Sequence, residues 1–222
     1  MEERASDIAQ ELALLHTLMG ADYSRQVERI AHRNEFRPLE NETGIYACGG
    51  ETGSDFGNLL NAARKAVAHG YKVYILPNPK GIRTADFIFE RKGTYRMYDL
   101  KTIQGKSSAI NRLLESVGQC NRVLLNMTTD YNTRSLAFEI KRYFEMNAEA
   151  LEVLVLKGGK SISIDRYLAC TTSFFRIFKK HYERQKLPLR VAFKRSSVGV
   201  GLLQGSILRL NPSRECHPDS QT

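Results

Sequence analysis

Apolar residues recur at helical spacing near the start of the chain: Ile8, Leu12, Leu15, Leu18 and Met19, then Val27 and Ile30 beyond Gly20. Intervals of three and four predict an amphipathic helix over 5–31. The polar stretch 34–41, with Pro38, reads as a boundary. Gly49, Gly50 and Gly53 mark a loop, and Ser54 or Asp55 is placed to cap a helix over 55–69 that Gly70 stops. Residues 71–76 alternate and are rich in β-formers, so a strand is expected there, ended by Pro77. Two further strands, 86–90 and 95–103, flank a hairpin turn at 91–94 in which Gly93 can take positive φ. A helix over 107–118, a strand over 122–127, a helix over 132–147 and a strand over 151–156 follow. Gly158 and Gly159 then turn the chain toward 161–164.

Strands near 96–103, 122–127 and 151–156, separated by helices, carry the βαβ signature. They predict an α/β fold: a mixed sheet flanked by helices on both faces. Beyond 165 the pattern becomes a basic amphipathic helix over 166–186, an interrupted segment and a polar tail. The expected plan is an N-terminal helical extension (1–45), a core (46–165) and a basic C-terminal extension (166–222).

Composition narrows the class. With 42% apolar residues in 222, the chain can bury a core and is not expected to be disordered. No apolar run approaches the ~20 residues of a membrane-spanning helix. The start, Met-Glu-Glu-Arg, lacks the basic and apolar regions of a secretory signal. Cys48, Cys120, Cys170 and Cys216 are scattered without a CxxC pair, so a reduced, cytoplasmic protein is expected. The net charge of +9 is uneven. Of 33 lysines and arginines and 24 carboxylates, 13 and 4 lie beyond residue 156, leaving 20 of each before it. All the excess therefore sits in the last third, which points to a polyanion, nucleic acid ahead of an anionic membrane surface. A solvated basic helix with no partner has the same composition.

Several motifs fail on context. Gly105-Lys106-Ser107 and Gly159-Lys160-Ser161 look like phosphate-loop endings, but the earlier glycine such a loop needs is replaced by Leu100 and Leu154. Cys216-His217 lies in the polar tail, and the other cysteines and histidines lack zinc spacing. The histidines sit near no recognisable nucleophile motif. Carboxylate and lysine form the stronger signal. Hydrolysis of a phosphodiester with a divalent metal needs acidic groups to hold the cation and gains from a cation that positions water. An acidic-x-Lys tripeptide on a strand supplies part of this, because i and i+2 share a face. There are three: Glu90-Arg91-Lys92 runs into a turn, Glu139-Ile140-Lys141 lies in a helix, and Asp99-Leu100-Lys101 lies in an apolar strand. Folding the hairpin about Lys92 and Gly93 brings Asp86 opposite the stretch from Asp99 to Lys101. A buried acidic pair with a lysine is costly without a ligand, which favours function. An ordinary Asp99–Lys101 salt bridge is the competing reading.

The run Ala85-Asp86-Phe87-Ile88-Phe89, followed by Asp99-Leu100-Lys101, resembles the PD-(D/E)XK phosphodiesterase superfamily. With the lead-in at 62–77 and the segment 118–127, it is similar to the C-terminal nuclease domains of contact-dependent growth-inhibition toxins, which cleave tRNA, and to related proteins of bacterial mobile elements. The resemblance covers about residues 50–165 and implies a restriction-endonuclease-like core. It makes Asp86 and Asp99 ligands of Mg²⁺ or Mn²⁺ and Lys101 the group that orients water or stabilises developing charge. A further acidic ligand before or on the first core helix is implied; Glu51 is the first choice, with Asp55, Asn58 and Asn61 nearby. Gln119 matches a glutamine many members carry after the motif, and also reads as a polar helix-end residue beside Gly118. Ala85 replaces the motif's proline.

Outside the resemblance, Arg176, Lys179, Lys180, Arg184 and Lys186 surround one helix, and Lys194 and Arg195 follow. They are candidates for phosphate-backbone contacts, with salt-sensitive binding. Phe174, Phe175, Phe178 and Tyr182 at helical spacing read as packing residues. The expected function is metal-dependent hydrolysis of RNA, tRNA included, or DNA. An inactive nuclease fold that only binds nucleic acid, and a structural or protein-interaction domain of a mobile element, are the alternatives. The residues leave open whether a protein partner, such as an immunity protein, exists.

Overall fold

The computed structural model describes residues 2–15, 18–48, 55–79, 81–105 and 108–183. Among these residues eight strands form one mixed sheet in chain order. They are β1 (Phe36–Pro38), β2 (Ile45–Cys48), β3 (Lys72–Ile75), β4 (Phe87–Arg91), β5 (Thr94–Ile103), β6 (Arg122–Met127), β7 (Glu152–Lys157) and β8 (Lys160–Asp165). The pairs β2–β3, β5–β6 and β6–β7 are parallel, and the other neighbours are antiparallel. The helices are α1 (Glu2–Leu14), α2 (Gly20–Ala31), α3 (Phe56–Ala68), α4 (Ala109–Leu114), α5 (Thr133–Met146), α6 (Arg166–Cys170) and α7 (Phe174–Tyr182). Helices lie on both faces of an α/β sheet, as the periodicity predicts.

Side chains alternate along β5 and divide the core. Met97 packs with Ile8, Leu12, Val27 and Ile30 of α1 and α2, and with Ile88. Ile103, on the same face, packs with Leu113, Leu136, Ile140 and Phe178 of α4, α5 and α7. Tyr98 and Leu100 point the other way, onto Ala62, Ala63 and Ala66 of α3. Three alanines on one stripe let α3 approach the aromatic layer of Phe87, Phe89 and Tyr98 closely. Each fully buried aromatic adds about 2–3 kcal/mol of apolar burial. The segments 7–31 and 166–182 thus share these core clusters with the central strands.

Four expectations are corrected. The helix over 5–31 is two helices, because Gly20 takes φ +88°, a conformation that breaks a right-handed helix. The supposed boundary at 34–41 contains β1, held on β2 by the register Phe36↔Cys48; with only three residues, β1 has too few positions to show alternation. The helix over 107–118 is the short α4 followed by turns through Gly118, whose φ is +79°. The helix over 166–186 divides at Thr171, which caps α6 in an extended conformation with ψ 147°. The turn at 91–94 is a two-residue hairpin with Lys92 at φ 53° and Gly93 at φ 73°, the doubly left-handed geometry that matches strand twist.

Candidate active site

Pro77 follows β3, and Asp86 stands one residue before β4. The β4–β5 ladder ends at Phe87↔Tyr98, so Asp86 and Asp99 are the next residues on each strand. The Asp86 amide donates to the Tyr98 carbonyl at 3.0 Å, and the Asp86 carbonyl accepts from the Leu76 amide at 2.9 Å. These two backbone bonds fix Asp86 on β3 and β5 together. Its Oδ2 accepts from the Leu100 amide at 2.6 Å. Lys101, two residues beyond Asp99 and on the same face, places Nζ 2.8 Å from Asp99 Oδ2. The three motif residues predicted to converge therefore do so.

The site is nearly closed. Asp99 is 1% exposed and the Lys101 side chain 13%. Burial first, and then the charge of Asp99, push the Asp86 carboxyl up to about 7. The Asp99 carboxyl is also raised by burial, against the pull of Lys101. Two carboxyls in this position resist ionising together. Asp99 Oδ2, beyond its ion pair, makes no well-formed hydrogen bond. An all-oxygen pair that resists double ionisation, with one under-bonded buried oxygen, fits a hard divalent cation, which would relieve both the repulsion and the desolvation. Among the described residues no cluster of three His, Cys, Asp or Glu is arranged as a metal site.

Glu51, the first choice for a further acidic ligand, lies outside the described residues. Asn58 and Asn61 are not at the acid pair. Asn58 Nδ2 donates to Asp55 Oδ1 at 3.0 Å, and Asn61 Oδ1 accepts from Asn126 Nδ2 at 3.3 Å on the α3 side of the sheet. Gln119 turns its amide back on the Glu115 carbonyl at 2.9 Å, in the manner of a helix-end residue. The other acidic-x-Lys tripeptides have structural partners. Glu90 accepts from the Gly93 amide in the turn, and Glu139 accepts from the Ile110 amide at 2.8 Å.

Two residues that the sequence did not single out border the site. Cys120 is buried, donates Sγ–H to the Met97 carbonyl at 3.3 Å, and has its thiol pushed up to about 12 by burial. Arg83, in the loop before Asp86, lies close enough to Asp99 to favour its ionised form. A positive residue three positions from a motif Asp was a visible signal; an isolated cysteine was not.

On α7, Phe174, Phe178 and Tyr182 are buried while Arg176, Lys179 and Lys180 are exposed. The aromatics pack, as expected, and the cations face solvent on the acid-pair side of the sheet, toward its β8 edge. Phe175 is an exception and is 41% exposed. Arg184, Lys186, Lys194 and Arg195 lie outside the described residues. No helix among the described residues is long and apolar enough to cross a membrane.

No protein-family profile and no curated protein matches the sequence. One chain of a CdiA-CT/CdiI toxin and immunity complex from Burkholderia pseudomallei is similar in structure. It is 14% identical with a TM-score of 0.36, and 54% of this chain aligns with 98% of that one. A likeness of that size carries no argument about chemistry.

Proposed function

We propose that this chain is a metal-dependent nuclease that hydrolyses phosphodiester bonds of RNA, tRNA included, or of DNA. The observation that carries the reading is Asp86 beside Asp99 on adjacent strands, with Lys101 2.8 Å from Asp99. The resemblance of this stretch to the PD-(D/E)XK motif points the same way. Asp86 and Asp99 would hold Mg²⁺ or Mn²⁺, which when bound supplies charge stabilisation at a phosphoryl oxygen and lowers the pKa of water. The rest is work for the chain's own groups. The Leu100 amide holds Asp86 Oδ2 in place, so the carboxylate is aimed before a ligand arrives. Lys101, held beside Asp99, is positioned to orient the attacking water or to neutralise charge developing on the phosphate. Arg176, Lys179 and Lys180 would contact the phosphate backbone away from the scissile bond.

The test is cleavage of a tRNA pool and of duplex DNA by the purified protein with Mg²⁺ or Mn²⁺, beside Asp99→Asn and Lys101→Ala. Loss of cleavage in both variants, with circular dichroism unchanged, is expected. Cleavage retained by both would refute the assignment. Salt-sensitive binding without cleavage in either metal would instead establish an inactive, nucleic-acid-binding version of the fold.

A further inference from the structure

On the face of the sheet that α3 covers, toward the β4–β5 hairpin, the described residues form a cavity of about 480 Å³, lined by Tyr71, Phe89 and Tyr98 on its aromatic side and by Arg91, Lys92 and Arg96 among its polar residues. None of the acid-pair residues borders it. Tyr98 follows the β5 alternation and points to the face opposite its neighbour Asp99.

The cavity is built around a buried carboxylate. Glu152, at the start of β7, is 5% exposed. It accepts from the Tyr98 hydroxyl at 2.9 Å, from Arg96 at 3.0 Å and from Ser163 Oγ at 2.5 Å. Arg122 Nε stands 3.8 Å from it. Both carboxylate oxygens are thus engaged by the protein, so Glu152 offers a ligand little and instead fixes Arg96 against the cavity. A buried ionic network of this kind contributes little net stability compared with an apolar replacement, which makes positioning its better explanation. Arg91 is fixed too, with its guanidinium 5.0 Å from the centre of the Tyr71 ring. The lining therefore carries three cations and a single carboxylate already neutralised by arginine. The volume lies within the range of small-ligand sites.

We propose that this cavity binds a nucleotide, either free or at the end of a strand. Its phosphate would be taken by Arg91, Lys92 and Arg96, and its base would lie against Tyr71, the half-buried ring of the lining, with Phe89 and Tyr98 packed behind it. Guanidinium groups pair phosphate oxygens in bidentate fashion, and aromatic walls accept any base by stacking. The proposal does not depend on the acid pair, and Asp99→Asn is expected to leave it intact.

The experiment is calorimetric titration of the full-length protein with AMP, CMP, GMP and UMP, with inorganic phosphate and adenosine as the two halves, and with a 5′-phosphorylated single-stranded oligonucleotide. All are run in EDTA to suppress cleavage. Saturable binding of at least one mononucleotide is expected, tighter than either half. It should weaken about tenfold or more in the exposed pair Arg91→Ala/Lys92→Ala, whose fold circular dichroism verifies. If only the oligonucleotide binds with that sensitivity, the site belongs to a strand end. The proposal is overturned if neither form binds at about 10 mM. It is equally overturned if affinity is unchanged in Arg91→Ala/Lys92→Ala, or if inorganic phosphate binds as tightly as the nucleotide.

Discussion

Asp86→Asn replaces a titrating carboxyl with a neutral group of the same shape, and its consequence follows from the site's electrostatics. Burial and the neighbouring Asp99 raise Asp86 to about 7, against about 3.9 in an unfolded chain. A carboxyl raised in the folded state contributes fully at a pH below its unfolded value. That contribution is lost as pH rises through about 7. A difference of about 3 pH units at about 1.4 kcal/mol each makes the whole loss about 4 kcal/mol, of which about 3 falls between pH 5 and pH 8. That is a large fraction of the 5–15 kcal/mol by which a domain is ordinarily stable. The asparagine carbonyl still accepts from the Leu100 amide, so the hydrogen bond at 2.6 Å has a substitute. Urea unfolding in EDTA should show wild-type stability falling from pH 5 to pH 8 by about 3 kcal/mol more than that of Asp86→Asn. The variant should be the more stable protein at pH 8. Mg²⁺ should restore much of the wild-type loss and little in the variant. Identical pH slopes for the two proteins would refute the reasoning, because they would mean that Asp86 ionises in the fold as it does in water.

Lys101→Met leaves Asp99 buried without its cation. It should cost about 3 kcal/mol at pH 8 and distinctly less at pH 5, where Asp99 can take a proton, as read from urea melts at the two pH values. Asn132 caps α5 by accepting from the Ser135 amide at 2.9 Å, and Asn132→Ala should lower stability by about 1 kcal/mol in thermal or urea unfolding. Phe178 is fully buried between α7 and the sheet, and Phe178→Ala should cost about 3–5 kcal/mol by the same measurement. Lys179→Glu/Lys180→Glu, at exposed positions, should leave the melting temperature nearly unchanged. It should weaken tRNA binding and reduce the slope of log K against log salt by about 2, measured by fluorescence anisotropy.

The central strands were legible because their side chains face two packed layers. The run 122–127 carries Val123, Leu124, Leu125 and Met127 among its six residues, and it appears as β6 with the predicted bounds. The hairpin was legible from Gly93 and from alternation on either side, and this alone brought Asp86 next to Asp99. What escaped was short or set by distant contacts. β1 is a strand because β2 supplies its hydrogen bonds, and nothing within 36–38 requires it. The position of Gln119 followed from where α4 ends and turns begin, which no local pattern marks. Asn61 resembles a ligand by its place on the first core helix, yet α3 packs on the face opposite the acid pair and ties Asn61 to Asn126.

The sequence by itself determined the α/β plan, the hairpin, and the presence of two aspartates and a lysine within reach of each other, since all three depend on local periodicity and turn chemistry. The tertiary structure alone decided their electrostatic condition. Burial in the fold raises both Asp86 and Asp99, and the charge of Asp99 adds to the rise of Asp86. It also decided the cavity. Tyr71, Arg91, Arg96, Glu152 and Ser163 come from five separate places in the chain, and only the folding of the sheet sets them around one space.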